Sequence, residues 1–295
     1  MENIVECKNL THYYGKKLVY ENLSFNIKKG SILGLLGKNG AGKTTTINIL
    51  NGFLTPRSGN CFILGENSRN LSPAVKAKIG FLIEGHVQYA FMDIYQIEKF
   101  YSGFFPGWKR EAYFDLMGKL KITPKQKIAS MSCGQRSQIA LGLLLAQDPE
   151  LFVLDDFTLG LDPGYRRLFI DYLKEYAKAE NKTIFTTSHI IQDMERLIDD
   201  VMIMDYNRVL AYSSLSDFMA SFKQYNFEVE QSDIKFDRDR VIVNHEMVKN
   251  TVELYSYVSA EEVQSYLDIR GIRYNNFRKV EMSLEDAFIG LTGKY

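Results

Sequence analysis

The sequence predicts an α/β fold with a mainly parallel core sheet, followed by a small α+β domain. Apolar runs with the length and β-branching of core strands alternate with helical stretches, which is typical of a parallel sheet covered by helices. The runs are 32–36, 151–154, 183–186 and 201–204, and the helical stretches are about 44–50, 164–180 and 190–198. The character of the chain changes near residue 213, so we expect one domain over 1–212 and an accessory domain over 213–295.

The other parts of the chain complete this outline. The first ~30 residues alternate between apolar and polar positions around turn signals, which predicts an antiparallel β subdomain. Residues 87–145 are rich in Leu, Lys and aromatic residues and predict a helical subdomain. In the accessory domain, Ser259 with Glu262 three residues later predicts a capped helix that stops at Gly271. We expect strands there at 227–229, 240–243, 252–257 and 272–274.

Composition excludes several classes of function. Lys plus Arg and Asp plus Glu both number 36, so the charge balance does not favour an extended nucleic-acid or anionic-membrane surface. The longest apolar run, Ile139 to Ala146, is too short to span a bilayer, and the N-terminus lacks signal-peptide features. Three widely separated cysteines without a C-x-x-C pair predict neither a zinc site nor a disulfide framework. We expect a protein of a reducing compartment whose membrane role, if any, depends on a partner.

A glycine-rich loop follows the first buried strand and opens the first helix. Its residues match the pattern G-x4-G-K-[ST], and they are Gly37, Lys38, Asn39, Gly40, Ala41, Gly42, Lys43 and Thr44, with Thr45 following. Such a loop turns consecutive backbone N–H groups towards phosphate oxygens, and the helix N-terminus adds a partial positive charge. The lysine reaches the β- and γ-phosphates, and the hydroxyl of Thr44 can join a Mg²⁺ shell. The pattern therefore predicts a nucleotide site.

Two adjacent carboxylates end the strand at 151–154. Because ligands of a parallel sheet gather at the carboxyl ends of its strands, we expect Asp155 and Asp156 beside the loop. Asp155 is a natural partner for Mg²⁺. Asp156 would then face the γ-phosphate and could polarise an attacking water.

Between residues 3 and 212 the chain resembles the nucleotide-binding subunits of ABC transporters, because six elements occur in that family's order. They are an aromatic residue at Tyr14, Walker A at 37–45, a Q-loop position at Glu84, the signature at 131–135, Walker B at 151–156 and the switch histidine at His189. Residues 160–163 match the D-loop. The resemblance implies an ABC ATPase fold, with ATP and Mg²⁺ as cofactors and Tyr14 stacked on adenine.

The family also implies a mechanism. Two subunits sandwich two ATP molecules, each between one Walker A loop and the partner's signature, here Ser132, Gly134 and Gln135. Hydrolysis, with Asp156, His189 and Glu84 in catalytic positions, loosens the sandwich, and the helical subdomain passes the motion to a membrane permease. Mg²⁺ would be held by Thr44, Asp155 and Glu84. The resemblance places the protein peripherally at the cytoplasmic face of the cell membrane, with no nucleic-acid partner.

Several positions depart from the usual family pattern. Glu84 replaces a glutamine, Cys133 replaces the first glycine of the signature, and Asp156 replaces a longer glutamate. Asp156 acts on its own subunit's nucleotide, whereas Cys133 acts on the partner's, so a heterodimer with a typical subunit would carry one departure per site. The sequence leaves open a homodimer or a heterodimer with a second ATPase subunit.

The C-terminal segment 282–293 is similar to the SLED-x-F-x-x-LTG ending of ATPase subunits in bacterial exporters of the drug and antibiotic-peptide type. This similarity favours export over import. Two alternatives stay open at this point: a degenerate ATP-binding regulatory subunit with little hydrolysis, and a soluble ABC ATPase outside transport. A single cassette, no sustained heptads and no basic surplus count against the soluble ATPase.

Overall fold

The computed structural model describes residues 2–82, 89–119, 123, 125–230 and 234–293. Within it the chain forms two compact units, Met1–Val209 and Leu210–Tyr295. No helix among the described residues is both long and apolar enough to cross a bilayer.

The first unit contains two sheets and seven α-helices within its described residues. Its strands are β1 (Asn3–Tyr14), β2 (Lys17–Lys28), β3 (Ile32–Gly37), β4 (Ser58–Ile63), β5 (Glu66–Asn67), β6 (Ile79–Leu82), β7 (Leu151–Asp155), β8 (Thr183–Thr187), β9 (Asp200–Asp205) and β10 (Arg208–Ser214), the last of which runs into the second unit. Its helices are α1 (Lys43–Leu50), α2 (Pro73–Lys76), α3 (Ile94–Ser102), α4 (Arg110–Lys119), α5 (Cys133–Ala146), α6 (Pro163–Ala179) and α7 (Ile191–Leu197). Short 3-10 turns lie at Ser68–Asn70 and Ile128–Ser130.

The core sheet has the strand order β10-β9-β3-β8-β7-β6, and β3, β8, β7, β6 and β9 pair in parallel. This confirms the predicted α/β class. All residues of β8 and the first four of β7 are buried, as expected for strands covered on both faces. A second, antiparallel sheet, β2-β1-β4-β5, packs on the core sheet, and the rings of Phe25 and Phe185 stack with centroids 6.0 Å apart. The carboxyl ends of β3 and β7 therefore lie at one edge of the core sheet.

The segment between β6 and β7 is helical in its described part. Helix α3 begins with a capping box in which the Asp93 side chain accepts from the backbone of Gln96 and the Gln96 side chain accepts from the backbone of Asp93. Helix α5 is buried from Ser137 to Ala146, so it forms the centre of this region rather than a surface helix. The hydroxyl of Tyr113 on α4 donates to the carbonyl oxygen of Ile94 over 3.0 Å and ties α4 to the start of α3.

The three cysteines occupy two different environments. Cys7 on β1 pairs directly with Cys61 on β4, and their sulfur atoms lie 3.0 Å apart in the buried core. Burial raises the pKa of the Cys7 thiol well above its usual range. Cys133, at the start of α5, is exposed. All three are free thiols.

The second unit combines an antiparallel sheet with helices, which agrees with the predicted α+β class, although the strand expected at 272–274 begins only at Tyr274. Its elements are α8 (Leu215–Ser221), β11 (Lys223–Val229), β12 (Asn244–Val248), β13 (Thr251–Ser256), α9 (Ala260–Ile269), β14 (Tyr274–Val280) and α10 (Leu284–Thr292). The strand order is β12-β13-β11-β14. The predicted capping box of Ser259 and Glu262 is confirmed at the start of α9. Helix α10 approaches the sheet so closely that a Cβ on Gly290 would lie 2.3 Å from Cδ1 of Tyr255.

The strand predicted at 240–243 is wrong. Both Val241 and Ile242 donate their backbone N–H groups to Oδ1 of Asp239 over 2.8 Å, which folds this segment into a turn, and the strand β12 begins only at Asn244. Ile242 is fully buried in the core of the unit. The apolar pattern therefore reports burial correctly, but a local side-chain hydrogen bond replaces the strand pairing.

Candidate active site

The glycine-rich loop joins the end of β3 to the start of α1. Gly42 adopts a φ of 106°, and a Cβ there would lie 2.9 Å from the side chains of Val19 and Tyr20. Only glycine fits this position without displacing β2. The loop is consequently packed against the antiparallel sheet, with its backbone held in a fixed curve.

Lys43 turns back over the loop. Its Nζ donates to the carbonyl oxygen of Gly37 over 2.7 Å and to that of Lys38 over 3.3 Å. Burial lowers the pKa of Lys43, while the negative charges of Asp156 and Asp155 oppose that shift. The ammonium is thus held in a poorly solvated place, where an arriving phosphate would interact with it more strongly than in water.

The two carboxylates at the end of β7 have different partners. Asp155 accepts a short hydrogen bond from the hydroxyl of Thr187 on β8. Burial raises the pKa of Asp155, and the Asp156 charge adds to that effect, while the Thr187 hydroxyl and Lys43 oppose it. The Thr187 bond fixes one oxygen of Asp155 in position.

Asp156 lies against the segment that carries His189. Its Oδ1 accepts the backbone N–H of His189 over 2.8 Å, and its Oδ2 lies 3.2 Å from Nε2 of the imidazole. Asp156 has a φ of 46°, a left-handed conformation that Asp tolerates better than most residues. Its side chain is only 16% exposed, so the carboxylate has limited freedom to leave this position.

A cleft of about 220 Å³ brings most of the predicted site residues together. Its lining consists of Tyr14, Lys17, Val19, Asn39, Gly40, Gly42, Lys43, Thr44, Thr45, Asp155, Asp156 and His189. The hydroxyl of Tyr14 lies 3.4 Å from Oγ1 of Thr45, so the aromatic ring stands at the rim beside the loop. Gly37, Lys38 and Ala41 belong to the loop but not to this lining, and Glu84 lies outside the described residues.

Two cleft residues were missed by the sequence reasoning. Lys17 and Val19 lie on β2 directly after the hairpin turn, and Tyr14 pairs with Lys17 across that turn. The pairing of Tyr14 and Lys17 follows from the tight Gly15 turn and was the available signal. The cationic side chain of Lys17 and the apolar side chain of Val19 therefore line the cleft next to Tyr14.

The signature residues lie at the start of α5 and are absent from the cleft lining. Ser132 and Gln135 form a reciprocal capping box: the Ser132 hydroxyl accepts from the Gln135 backbone over 3.2 Å, and Oε1 of Gln135 accepts from the Ser132 backbone over 3.0 Å. The Cys133 sulfur packs beside Gly160, 2.9 Å from the point where a Cβ on that residue would lie. Gly134 lies in the first turn of α5, where it is half-buried.

Fold and cleft together define a phosphate-loop nucleotide-binding protein. A family profile described as "ABC transporter" matches residues 20–159. The linearmycin resistance ATP-binding protein LnrL of Bacillus subtilis is 30% identical over 219 residues, which cover 72% of this chain and 70% of that protein. The bacitracin transport ATP-binding protein BcrA of Bacillus licheniformis is 29% identical over 99% of this chain and 98% of its own length.

Solved structures agree with these relatives. One described as the structure of an ATP-binding subunit of an ABC transporter is 26% identical, with a TM-score of 0.65 over 74% of this chain and 92% of the other. The chain belongs to the ATP-binding proteins of the ABC transporter family. It is accordingly an ABC-type ATPase, and subunits of this kind dimerise and pair with membrane permeases.

Proposed function

We propose that ATP binds in this cleft with its adenine on Tyr14 and its phosphates in the loop 37–45, and that Asp156 and His189 act on the γ-phosphate side. The observation that supports these roles is the convergence of the loop, Asp155, Asp156 and His189 on one cleft with Tyr14 at its rim. Lys43 contacts the β- and γ-phosphates, and Asp156 orients and deprotonates the attacking water.

The donors in the cleft fit Mg²⁺. The Thr44 hydroxyl and the Asp155 carboxylate line it together, and oxygen donors of this kind are those that Mg²⁺ takes from P-loop proteins. When bound with ATP, Mg²⁺ neutralises charge on the phosphate oxygens. Glu84 is proposed as a further ligand or water contact on the sequence resemblance alone.

The signature residues Ser132, Gly134 and Gln135 act on the nucleotide of a partner subunit. Their absence from the lining of their own cleft supports this arrangement. Because Asp156 works in cis and Cys133 in trans, we propose a second, non-identical ATPase subunit as the natural partner. Nucleotide-dependent dimerisation of the purified chain alone, together with ordinary turnover, would contradict the heterodimer.

The helical region presents an aromatic surface suited to the permease. Tyr89, Phe91, Tyr95 and Phe104 are all exposed, and Phe91 and Phe104 reach 69% and 63%. A groove beside them is lined by Phe91, Met92, Gln96, Lys99, Phe100 and Lys127. Exposed aromatic clusters of this kind mark protein interfaces. We propose that a short helix of the permease binds here, which would hold the chain at the cytoplasmic face of the membrane.

Export is the proposed direction of transport. It is supported by the C-terminal motif and by relatives whose names refer to bacitracin transport and linearmycin resistance. The ATPase assignment is tested by phosphate release from the purified chain, with and without Asp156→Glu. Measurable turnover that changes with the length of the carboxylate side chain at 156 supports it. ATP binding without turnover in either protein, also after addition of the permease, would indicate a regulatory subunit instead.

A further inference from the structure

Two chain segments meet beside the Asp156 carboxylate and are joined by two polar links. The first segment, 156–158, follows β7, and the second, 189–193, runs from His189 into α7. The Asp156–His189 hydrogen bond of 2.8 Å is the first link. The second link lies one turn further, where the Thr158 hydroxyl donates to Oδ2 of Asp193 over 3.1 Å.

Asp193 has a further partner on a third element. The Nε atom of Arg166, in the first turns of α6, lies 3.1 Å from the same Oδ2. One carboxylate oxygen therefore joins the segment after β7, helix α6 and helix α7. Charge-assisted hydrogen bonds of this kind are stronger than neutral ones and fix geometry as well.

This cluster is largely shielded from water. Thr158 is 1% exposed, and the side chains of Asp193 and Arg166 are 14% and 24% exposed. Burial raises the pKa of Asp193, while Thr158 and Arg166 oppose the shift. A carboxylate in such a place requires its partners, so its removal leaves the buried Thr158 hydroxyl without this acceptor and the half-buried Arg166 guanidinium without this partner.

We propose that Asp193 is a positioning residue that holds His189 against Asp156 through its bonds to Thr158 and Arg166. The inference rests on the proposed catalytic roles of Asp156 and His189. Asp193 lies four residues after His189, in the first turn of α7, so the position of that turn sets where the His189 segment lies. Asp193 does not line the cleft, so we infer that it acts only through Thr158 and Arg166.

A matched control is available between the same two helices. Arg196 on α7 forms a bidentate ion pair with Asp171 on α6, at 2.6 and 3.0 Å. Both side chains are 42% exposed, and the bonds of this pair do not involve the segment 156–158. Asp171→Asn therefore loosens α7 from α6 without releasing Thr158. Asp193→Ala removes the proposed link.

The first measurement is steady-state hydrolysis with a parallel titration of a fluorescent ATP analogue. Because misplacement of a catalytic group by about 1 Å can cost about 10²-fold, Asp193→Ala is expected to lower kcat by about ten- to a hundredfold at unchanged nucleotide affinity. Thr158→Val, which lacks the hydroxyl, should lower kcat by a smaller factor. Thr158→Ser, which keeps the hydroxyl, should have a kcat close to that of the wild-type chain. Equal losses in Asp193→Ala and Asp171→Asn, or a loss of affinity matching the loss of kcat, would overturn the proposal.

The second measurement does not depend on turnover. Hydrogen–deuterium exchange of a peptide covering 188–192 reports on the His189 backbone N–H, which donates a hydrogen bond to Oδ1 of Asp156. Asp193→Ala is expected to speed its exchange at least tenfold, with the β8 peptide unchanged, whereas Asp171→Asn leaves both unchanged. Unchanged exchange in Asp193→Ala refutes the positioning role, whether or not the chain alone hydrolyses ATP. Failure of ATP binding in the wild-type chain would instead refute the proposed site.

Discussion

Replacing Asp156 by Asn separates the proposed base from the structural role of the same side chain. The amide is nearly isosteric, and its oxygen still accepts the His189 backbone N–H that now lies 2.8 Å from Oδ1. The left-handed φ of 46° is also tolerated by Asn. The change therefore removes a negative charge and a proton acceptor while the fold and the 189–193 segment stay in place.

The size of the expected effect follows from that loss. General-base catalysis contributes about 10²- to 10⁴-fold, which is about 2.7 to 5.4 kcal/mol of activation free energy. Nucleotide affinity should be unchanged or higher, because a negative charge beside the proposed phosphate position disappears. The pKa of Asp155, which the Asp156 charge helps to raise, should fall.

The assay is phosphate release under single-turnover conditions, with binding of a fluorescent ATP analogue measured on the same preparation. Asp171→Asn, an exposed carboxylate remote from the cleft, is the control for loss of one charge. Hydrolysis by Asp156→Asn within threefold of the wild-type rate, at full nucleotide occupancy, would refute the role of this carboxylate as base.

Three further changes test separate parts of the structure. Lys43→Ala removes a partly buried cation and should weaken ATP binding about 10- to 100-fold, as measured by titration, since charged hydrogen bonds contribute about 1.5–3 kcal/mol. The buried ring nitrogens of His12 lack hydrogen-bond partners among the described residues, and burial lowers its pKa below 6.5. Because the unfolded chain takes up a proton at His12 more readily than the folded chain, His12 lowers the free energy of unfolding as the pH falls below about 6.5. In urea denaturation, His12→Phe should therefore show a smaller decrease in the free energy of unfolding between about pH 7.5 and about pH 5.5 than the wild-type chain. Gly290→Ala should lower the free energy of unfolding by about 1–3 kcal/mol in a denaturant titration, because its Cβ would overlap Tyr255, whereas an unhindered helix position would gain from the same change.

The phosphate loop 37–45 and the strand that ends in Asp155 and Asp156 could be predicted because each is formed by contiguous residues. A buried strand, a glycine-rich turn and a helix start within fifteen residues, and local pattern fixes all three. The capping boxes at Ser132 and Ser259 are equally local and are found where the spacing indicates. The strand at 240–243 failed for the opposite reason, because one carboxylate, Asp239, captured two N–H groups that a strand would have used.

Other features of the site depend on tertiary pairing and leave little trace in the sequence. Thr187 supports Asp155 across 32 residues of chain, and Asp193 reaches Thr158 across 35. The registers of β7 with β8 and the place of α7 are needed before either contact can be stated. Periodicity reports which residues are buried, but it does not report which polar side chains meet inside the core.

The unequal exposure of the three thiols allows one of them, Cys133, to be labelled selectively with a fluorescent dye. A maleimide dye added to the folded protein meets the exposed residue Cys133, while Cys7 and Cys61 are shielded within the paired strands. No cysteine need be introduced or deleted. A single fluorophore would then stand at the start of α5, on the residue next to Ser132, and its emission could follow the approach of a second subunit in real time.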